Sequence, residues 1–283
     1  MSRATVDLRA DFSGIGVHLR GFPADCEELV RERWQGFLNP GADPIIDITV
    51  TPSGGVMDPG PFRGEKLETR LSGTRVAIEM DEGLCSFERG SGRVELQVHD
   101  GDSGHRFFGM VNLMLAAMAW ELPVHGAALM HAGGIVVDGA AFALVGQSGA
   151  GKTTWVRLAR EGGALPLSDD LLLLDTSGER PELLGSPFRI REFGSPGSGR
   201  WPVGALLFSA HGEAHELAEV SPLLAQARLG ANFPWVGERI GEAGSPLAGV
   251  VSSLLEGAPV RQLTFRRDGG FLPLLRALAR SGE

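Results

Sequence analysis

The chain has 283 residues, a formal net charge of −9 at pH 7, 41 glycines, 17 prolines and no tyrosine. That length suits one large domain or two modest ones, and the acidic balance argues against nucleic acid or an anionic membrane as the main partner. Cys26 and Cys85 give neither a disulfide framework nor a metal spacing, and the charged start (Arg3, Asp7, Arg9, Asp11) has no apolar core of signal-peptide type, so a soluble, reducing, cytoplasmic setting is expected.

Residues 1–104 read as a separate, mostly β module of α+β type. Candidate strands are Gly16–Leu19, Ile45–Val50, Arg75–Ile78 and Arg93–Val98, several alternating apolar with polar residues as half-buried strands do. A helix is predicted over Asp25–Phe37, whose acidic opening suits the positive end of a helix dipole. The Gly/Pro-rich stretch Pro52–Gly64 reads as a surface loop. Nothing in this module has catalytic spacing, so only a docking or substrate-selecting role is assigned to it.

Residues 105–283 read as a second domain. Met110–Trp120 is apolar nearly all round, as a buried helix joining the two modules would be. The run Phe107–Trp120 contains Gly109 and Asn112 and falls short of a membrane span. Pro123 ends it, and a strand begins at His125-Gly126. Ile135–Val137 and Ala141–Val145 flank Asp138-Gly139, a two-residue hairpin signal. A hairpin at this point implies a mixed sheet, because the doubly wound nucleotide fold enters from a βα unit.

The hairpin feeds Gly146-Gln147-Ser148-Gly149-Ala150-Gly151-Lys152-Thr153, which fits the phosphate-binding pattern G-x-x-x-x-G-K-[ST]. Thr154–Glu161 follows as a helix, with Gly162-Gly163 as its stop. Strand, loop and helix are the context this chemistry needs: glycines let the backbone wrap a polyphosphate so that N–H groups and the helix N-terminus face the anion. Lys152 supplies positive charge to the outer phosphates, and the Thr153 hydroxyl can bind Mg²⁺. Lysine occurs only twice in the chain, at Lys66 and Lys152, which makes a chance match unlikely to include one at this position. The loop is read as a nucleotide-phosphate site.

Beyond the loop helix come Ala164–Ser168, Asp169-Asp170 and Leu171–Asp175. If the first run is a strand parallel to the loop strand, Asp169 and Asp170 lie on the same sheet edge as the loop, beside the γ-phosphate and its metal. Asp175 is the competitor, since four leucines and an aspartate also imitate the metal-binding strand of such NTPases. Further on, Ala205–Phe208 and Val260–Phe265 read as strands, and Pro222–Leu229 and Phe271–Ala279 as helices. His211 and His215 are four apart, but Gly212 and a missing acidic neighbour spoil a metalloprotease pattern, so they read as surface loop.

Residues 120–270 resemble the catalytic domain of HPr kinase/phosphorylase and its relatives, a fold shared with phosphoenolpyruvate carboxykinase. The resemblance is carried by His125-Gly126, the hairpin, Gly146–Thr153 and Leu167-Ser168-Asp169-Asp170. The chain is more similar still to HPr-kinase-like proteins of bacterial peptide-modification clusters, through Leu184–Ile190 and Ala258–Phe265. The resemblance implies an α/β, mixed-sheet P-loop domain and an ATP- and Mg²⁺-dependent serine kinase. Its nucleotide-binding residues would be Gly146, Gln147, Ser148, Gly149, Ala150, Gly151, Lys152, Thr153 and Thr154. Asp169 would be the base, with His125 tuning it and Lys152 assisting, and Thr153, Asp170 and Glu192 would hold the metal. The interval from His125 to Gly146 is longer than in HPr kinase, and the phosphorylase signature is not recognisable. The acceptor would be a peptide, a protein or free serine, and a homo-oligomer is compatible with the resemblance. The rival reading is an ATP-binding partner or regulatory protein that transfers no phosphate.

Overall fold

The computed structural model describes residues 4–56, 67–188, 197–236 and 245–281. It is a mixed α/β structure with two multi-stranded sheets, one in each of two compact units, Met1–Val124 and His125–Glu283.

The first unit holds strands β1 (Thr5–Asp11), β2 (Gly16–Pro23), β3 (Ile46–Val56), β4 (Leu67–Ser72), β5 (Arg75–Met80), β6 (Gly83–Glu88) and β7 (Arg93–Asp100), with helices α1 (Glu27–Arg33) and α2 (Ser103–Glu121). The sheet order is β1-β2-β3-β7-β6-β5-β4. Alternation decides its sides: Val94, Leu96 and Val98 are buried between exposed Arg93, Glu95 and Gln97. The apolar side is covered by α2, which packs on β7, β6, β5 and β3. Asp102 caps α2, accepting from the His105 N–H at 2.8 Å. At its other end Glu121, fully buried, accepts the N–H groups of Gly90 and Gly92 in the β6–β7 turn, which leaves that carboxylate satisfied.

With the turn after it, α2 is long and apolar enough to cross a membrane by length and composition, yet most of it is buried inside the protein. It belongs to the first unit rather than joining two modules, so the division falls after Val124 instead of after residue 104. The helix expected over Asp25–Phe37 is shorter, a 3-10 turn (Ala24–Cys26) followed by α1. Of the expected loop Pro52–Gly64, β3 takes the first part to Val56 and residues 57–66 lie outside the described residues.

The second unit is built from β8 (Ala127–Val137), β9 (Ala140–Val145), α3 (Lys152–Glu161), β10 (Leu165–Ser168), β11 (Leu171–Asp175), β12 (Glu182–Leu184), β13 (Arg200–His211), β14 (Glu216–Glu219), α4 (Pro222–Gly230), α5 (Pro246–Gly257), β15 (Val260–Phe265) and α6 (Leu272–Ser281). The hairpin turn is Asp138-Gly139, with φ of 48° and 84°, the two left-handed residues that a type I′ turn demands. Strand β9 runs antiparallel to β8 and parallel to β13, and β13 runs parallel to β15. The sheet is therefore mixed.

Hydrogen bonding passes from β8 to β13 by two routes. The carboxyl half of β8 reaches β13 through β9, while its amino half reaches the start of β13 through β11 and β12. On the face covered by α3 and α6, Ile135, Phe142, Leu144, Leu207 and Leu263 pack under Trp155 and Phe271, whose rings stack with centroids 5.8 Å apart. Each large side chain buried so completely contributes about 1.5–3 kcal/mol, and together they fix α3, and with it the loop, on the sheet.

Candidate functional site

The loop between β9 and α3 begins as the sheet ends. Gly151 takes φ +87° and caps α3, accepting the Trp155 N–H at 2.9 Å. That left-handed conformation is one L side chains rarely adopt. On the opposite side of α3's first turn lies Gly133 of β8, where an added Cβ would sit 3.1 Å from Val156 Cγ2 and 3.3 Å from Lys152 Cβ. A bare strand backbone at Gly133 lets the helix start rest directly on β8. Lys152 is buried, and its Nζ donates to the carbonyl oxygens of Gly146 (2.7 Å) and Gln147 (3.0 Å), which places the ammonium inside the curve of the loop. Burial pushes that ammonium below its ordinary pKa, against the pull of Asp170 and Asp169, which raise it.

The aspartate pair reaches the loop by strand register. Strands β10 and β9 flank β8 and both run antiparallel to it, so they point the same way and end at the same level. After a bulge between Pro166 and Ser168, Ser168 pairs with Gly134 and Leu171 with His131, and the Ala132 N–H donates to the Asp170 carbonyl at 3.1 Å. The pair thus sits within one nearly continuous strand run. Buried Ser168 shapes the bend: its Oγ accepts the N–H groups of Asp170 (3.2 Å) and Leu171 (3.1 Å) and donates to the Phe188 carbonyl (3.2 Å).

Here Thr153 Oγ1 donates to Asp169 Oδ2 at 3.2 Å, and His131 Nδ1 lies 3.1 Å from Asp170 Oδ1. Asp169 is buried, whereas the Asp170 side chain is 25% exposed. These groups line a cavity of about 580 Å³ with Ser148, Gly149, Gly151, Lys152 and Thr154, and His211, Phe265 and Arg267 close its other side. The volume falls in the range of small-molecule and cofactor sites. Three hard oxygen donors on the loop's flank fit Mg²⁺, which takes one or two carboxylates and keeps several waters. Glu192 lies outside the described residues.

His125 is not part of this cluster. It ends a 3-10 turn, Leu122–His125, before β8 begins, and the Gly126 carbonyl beside it accepts from Thr176. It lies six positions before His131, with Gly126 and the first four residues of β8 between them. His131 is the histidine at the site, and the hairpin itself could have located it. With Val137 opposite Ala140 and Ala132 opposite Val145, the next pair outward is His131 and Gly146. The N–H of His131 is taken by the Asn232 carbonyl at 2.7 Å, because β9 has ended. The expectation that His211 and His215 are surface loop holds for His215, which lies between β13 and β14 with Nε2 2.6 Å from Asp268 Oδ1, and fails for His211, which ends β13 and lines the cavity.

Asp175 belongs to a different arrangement at the far end of β11, opposite Ala127. Its Oδ1 accepts from Ser177 N and Oγ, and its Oδ2 from Arg200 at 2.6 Å. Burial raises its pKa, but the hydrogen bonds from Ser177 and Arg200 outweigh that and leave it lowered. A carboxylate held below its unfolded value of about 4 stabilises the fold above that pH, and the contribution is lost as pH falls through the lowered value. Asp175→Asn is expected to cost about 1–2 kcal/mol at pH 7, discounted for the partly exposed Arg200. Thermal unfolding at pH 7 and pH 3 checks this: the gap to wild type should narrow in acid, and an equal gap at both would remove the ion pair as its cause.

No family model and no curated protein matches the sequence. Among solved structures the chain is similar to the Hpr(Ser) kinase/phosphatase from Coxiella burnetii, over 54% of this chain and 95% of that one, at 13% identity and a TM-score of 0.29.

Proposed function

We propose that this protein is an ATP- and Mg²⁺-dependent kinase that transfers the γ-phosphate to a hydroxyl group. The observation that carries the reading is the meeting of a lysine-bearing phosphate loop with Thr153, Asp169, Asp170 and His131 in one cavity. Serine on a peptide, a protein or the free amino acid is the favoured acceptor, a choice that rests on the resemblance of Leu167-Ser168-Asp169-Asp170 and the loop to HPr kinase.

The geometry favours a division of roles opposite to the one that resemblance implies. Asp169, hydrogen-bonded to Thr153, is on the metal side, matching the usual pairing of a loop hydroxyl with an acidic strand residue. Asp170 is the more open carboxylate and is oriented by His131, as a base held by a third group should be. Mg²⁺, when bound, would be held by Thr153 and Asp169 and would neutralise charge developing on the outer phosphates. Asp170 accepts the proton of the acceptor hydroxyl as its oxygen bonds to the γ-phosphorus; the bond from that phosphorus to the β,γ-bridging oxygen breaks, and ADP leaves. Lys152 and the loop N–H groups hold the phosphates in line, so positioning and charge neutralisation do most of the work.

Incubation with γ-labelled ATP, Mg²⁺ and candidate seryl peptides or free serine tests the reading. Label should move to the acceptor, and more slowly or not at all to the matching alanine peptides. ATP binding with no labelled product from any hydroxyl acceptor would favour a nucleotide-dependent partner protein instead. Steady release of free phosphate without an acceptor would point to an ATPase.

A further inference from the structure

The cavity around the loop has two chemically different sides. Strands β9, β13 and β15 are parallel neighbours, so their carboxyl ends open on one sheet edge. The loop follows β9, His211 ends β13 and Phe265 ends β15. The oxygen donors lie on the β8 side of the loop, carried by α3's first turn and the β10–β11 run. On the β13–β15 side the lining is an imidazole, an aromatic ring and a guanidinium.

The contacts on that side are close. A Cβ built on Gly151 would lie 3.7 Å from both His211 Cε1 and Phe265 Cζ, so both rings flank the space that a side chain would take at that glycine. Their centroids are 6.2 Å apart. Phe265 is buried and fixed in the core under α3 and α6, which gives His211 a rigid wall to lean on. Arg266 is committed to Asp268 at 3.0 Å, and it is Arg267 that turns to the cavity. A planar guanidinium suits phosphate because it can donate two parallel hydrogen bonds.

We propose that His211 and Arg267 form the inner end of the nucleotide site, with Arg267 paired to the α-phosphate and His211 bonded to the ribose–phosphate junction. ATP then lies with its γ-phosphate toward Asp170 and its nucleoside toward β13 and β15. Thr153 and Asp169, the pair that would hold the metal for the outer phosphates, are on the β8 side, and the cationic and aromatic lining suited to the remaining phosphate and ribose is on the β13–β15 side. This rests on the nucleotide reading of the site above. It goes further in assigning residues at the carboxyl ends of two strands that the loop motif does not include.

Calorimetric titration of the full chain with MgATP and with magnesium pyrophosphate tests it, using wild type, Arg267→Gln, His211→Gln and Lys152→Ala. Arg267 and His211 are exposed, so circular dichroism and thermal melts should match wild type. Arg267→Gln is expected to weaken ATP about tenfold, the scale of one charged hydrogen-bonding pair, and to leave pyrophosphate within about twofold. His211→Gln should follow the same pattern more mildly, and Lys152→Ala should lose both ligands. Unchanged ATP affinity in Arg267→Gln, with Lys152→Ala defective, would overturn the inner-end assignment and leave the loop reading intact. An equal loss of ATP and pyrophosphate would also overturn it, by placing Arg267 over the outer phosphates. Failure of wild type to bind either ligand would remove the nucleotide reading itself.

Discussion

The Asp170→Asn variant is expected to lose about 10²–10⁴-fold in phosphate transfer at saturating acceptor, the range for removing a general base, while binding MgATP within a few-fold of wild type. Asparagine keeps the shape of the side chain and its contact with His131 Nδ1, but it cannot accept the hydroxyl proton. The companion variant Asp169→Asn separates the two carboxylates. Its oxygen beside Thr153 is on the metal side, so the expected change is a higher Mg²⁺ requirement, with part of the rate restored by raising Mg²⁺ or by Mn²⁺. Rates measured across a metal titration decide the matter. If Asp169→Asn is dead at every metal concentration while Asp170→Asn transfers normally, the roles revert to those the sequence resemblance implies.

Lys152→Ala should remove both nucleotide affinity and transfer, with at least about 10²-fold lost in transfer, as for other groups that stabilise charge developing at a phosphate. The lysine is buried, and its ammonium is shared among two loop carbonyls and the field of both aspartates. Replacing it with alanine takes away the one lysine of the loop and leaves no buried cation behind. Stability should therefore change little, and a thermal melt measured beside ATP binding guards against simple unfolding. Normal ATP affinity in this variant would mean that the loop is not a phosphate cradle.

The parts of the site legible in the sequence were those set by local rules. Asp138-Gly139 can make one tight turn and little else, and Gly146–Thr153 has a spacing dictated by phosphate geometry. The aspartate pair followed from strand direction. What the motif reading missed, it missed for a reason of register. His125-Gly126 looked like a strand start, and it is near one, but pairing across the hairpin puts His131 at the loop. His211 ends β13 and Arg267 lies two residues past β15, both distant in sequence from the loop, and they join its cavity only by the parallel pairing of β9, β13 and β15. No local pattern marks such a neighbour. Helix α5 escaped because Gly249 and the pair Ser252-Ser253 dilute its apolar stripe, and β14 because its four residues are mostly exposed. The boundary between the units was misplaced since an apolar helix shows that it is buried, not which sheet buries it.

One consequence follows from the way Asp169 and Asp170 are carried. They sit on a run whose register with β8 is unchanged from Ser168 to Asp175, pinned at the bend by Ser168. Carboxylates mounted this way have no hinge of their own, and they move only if β8 bends with them. On the proposed kinase reading the acid pair is therefore a fixed anvil, against which the phosphate loop and the rest of the cavity lining are set.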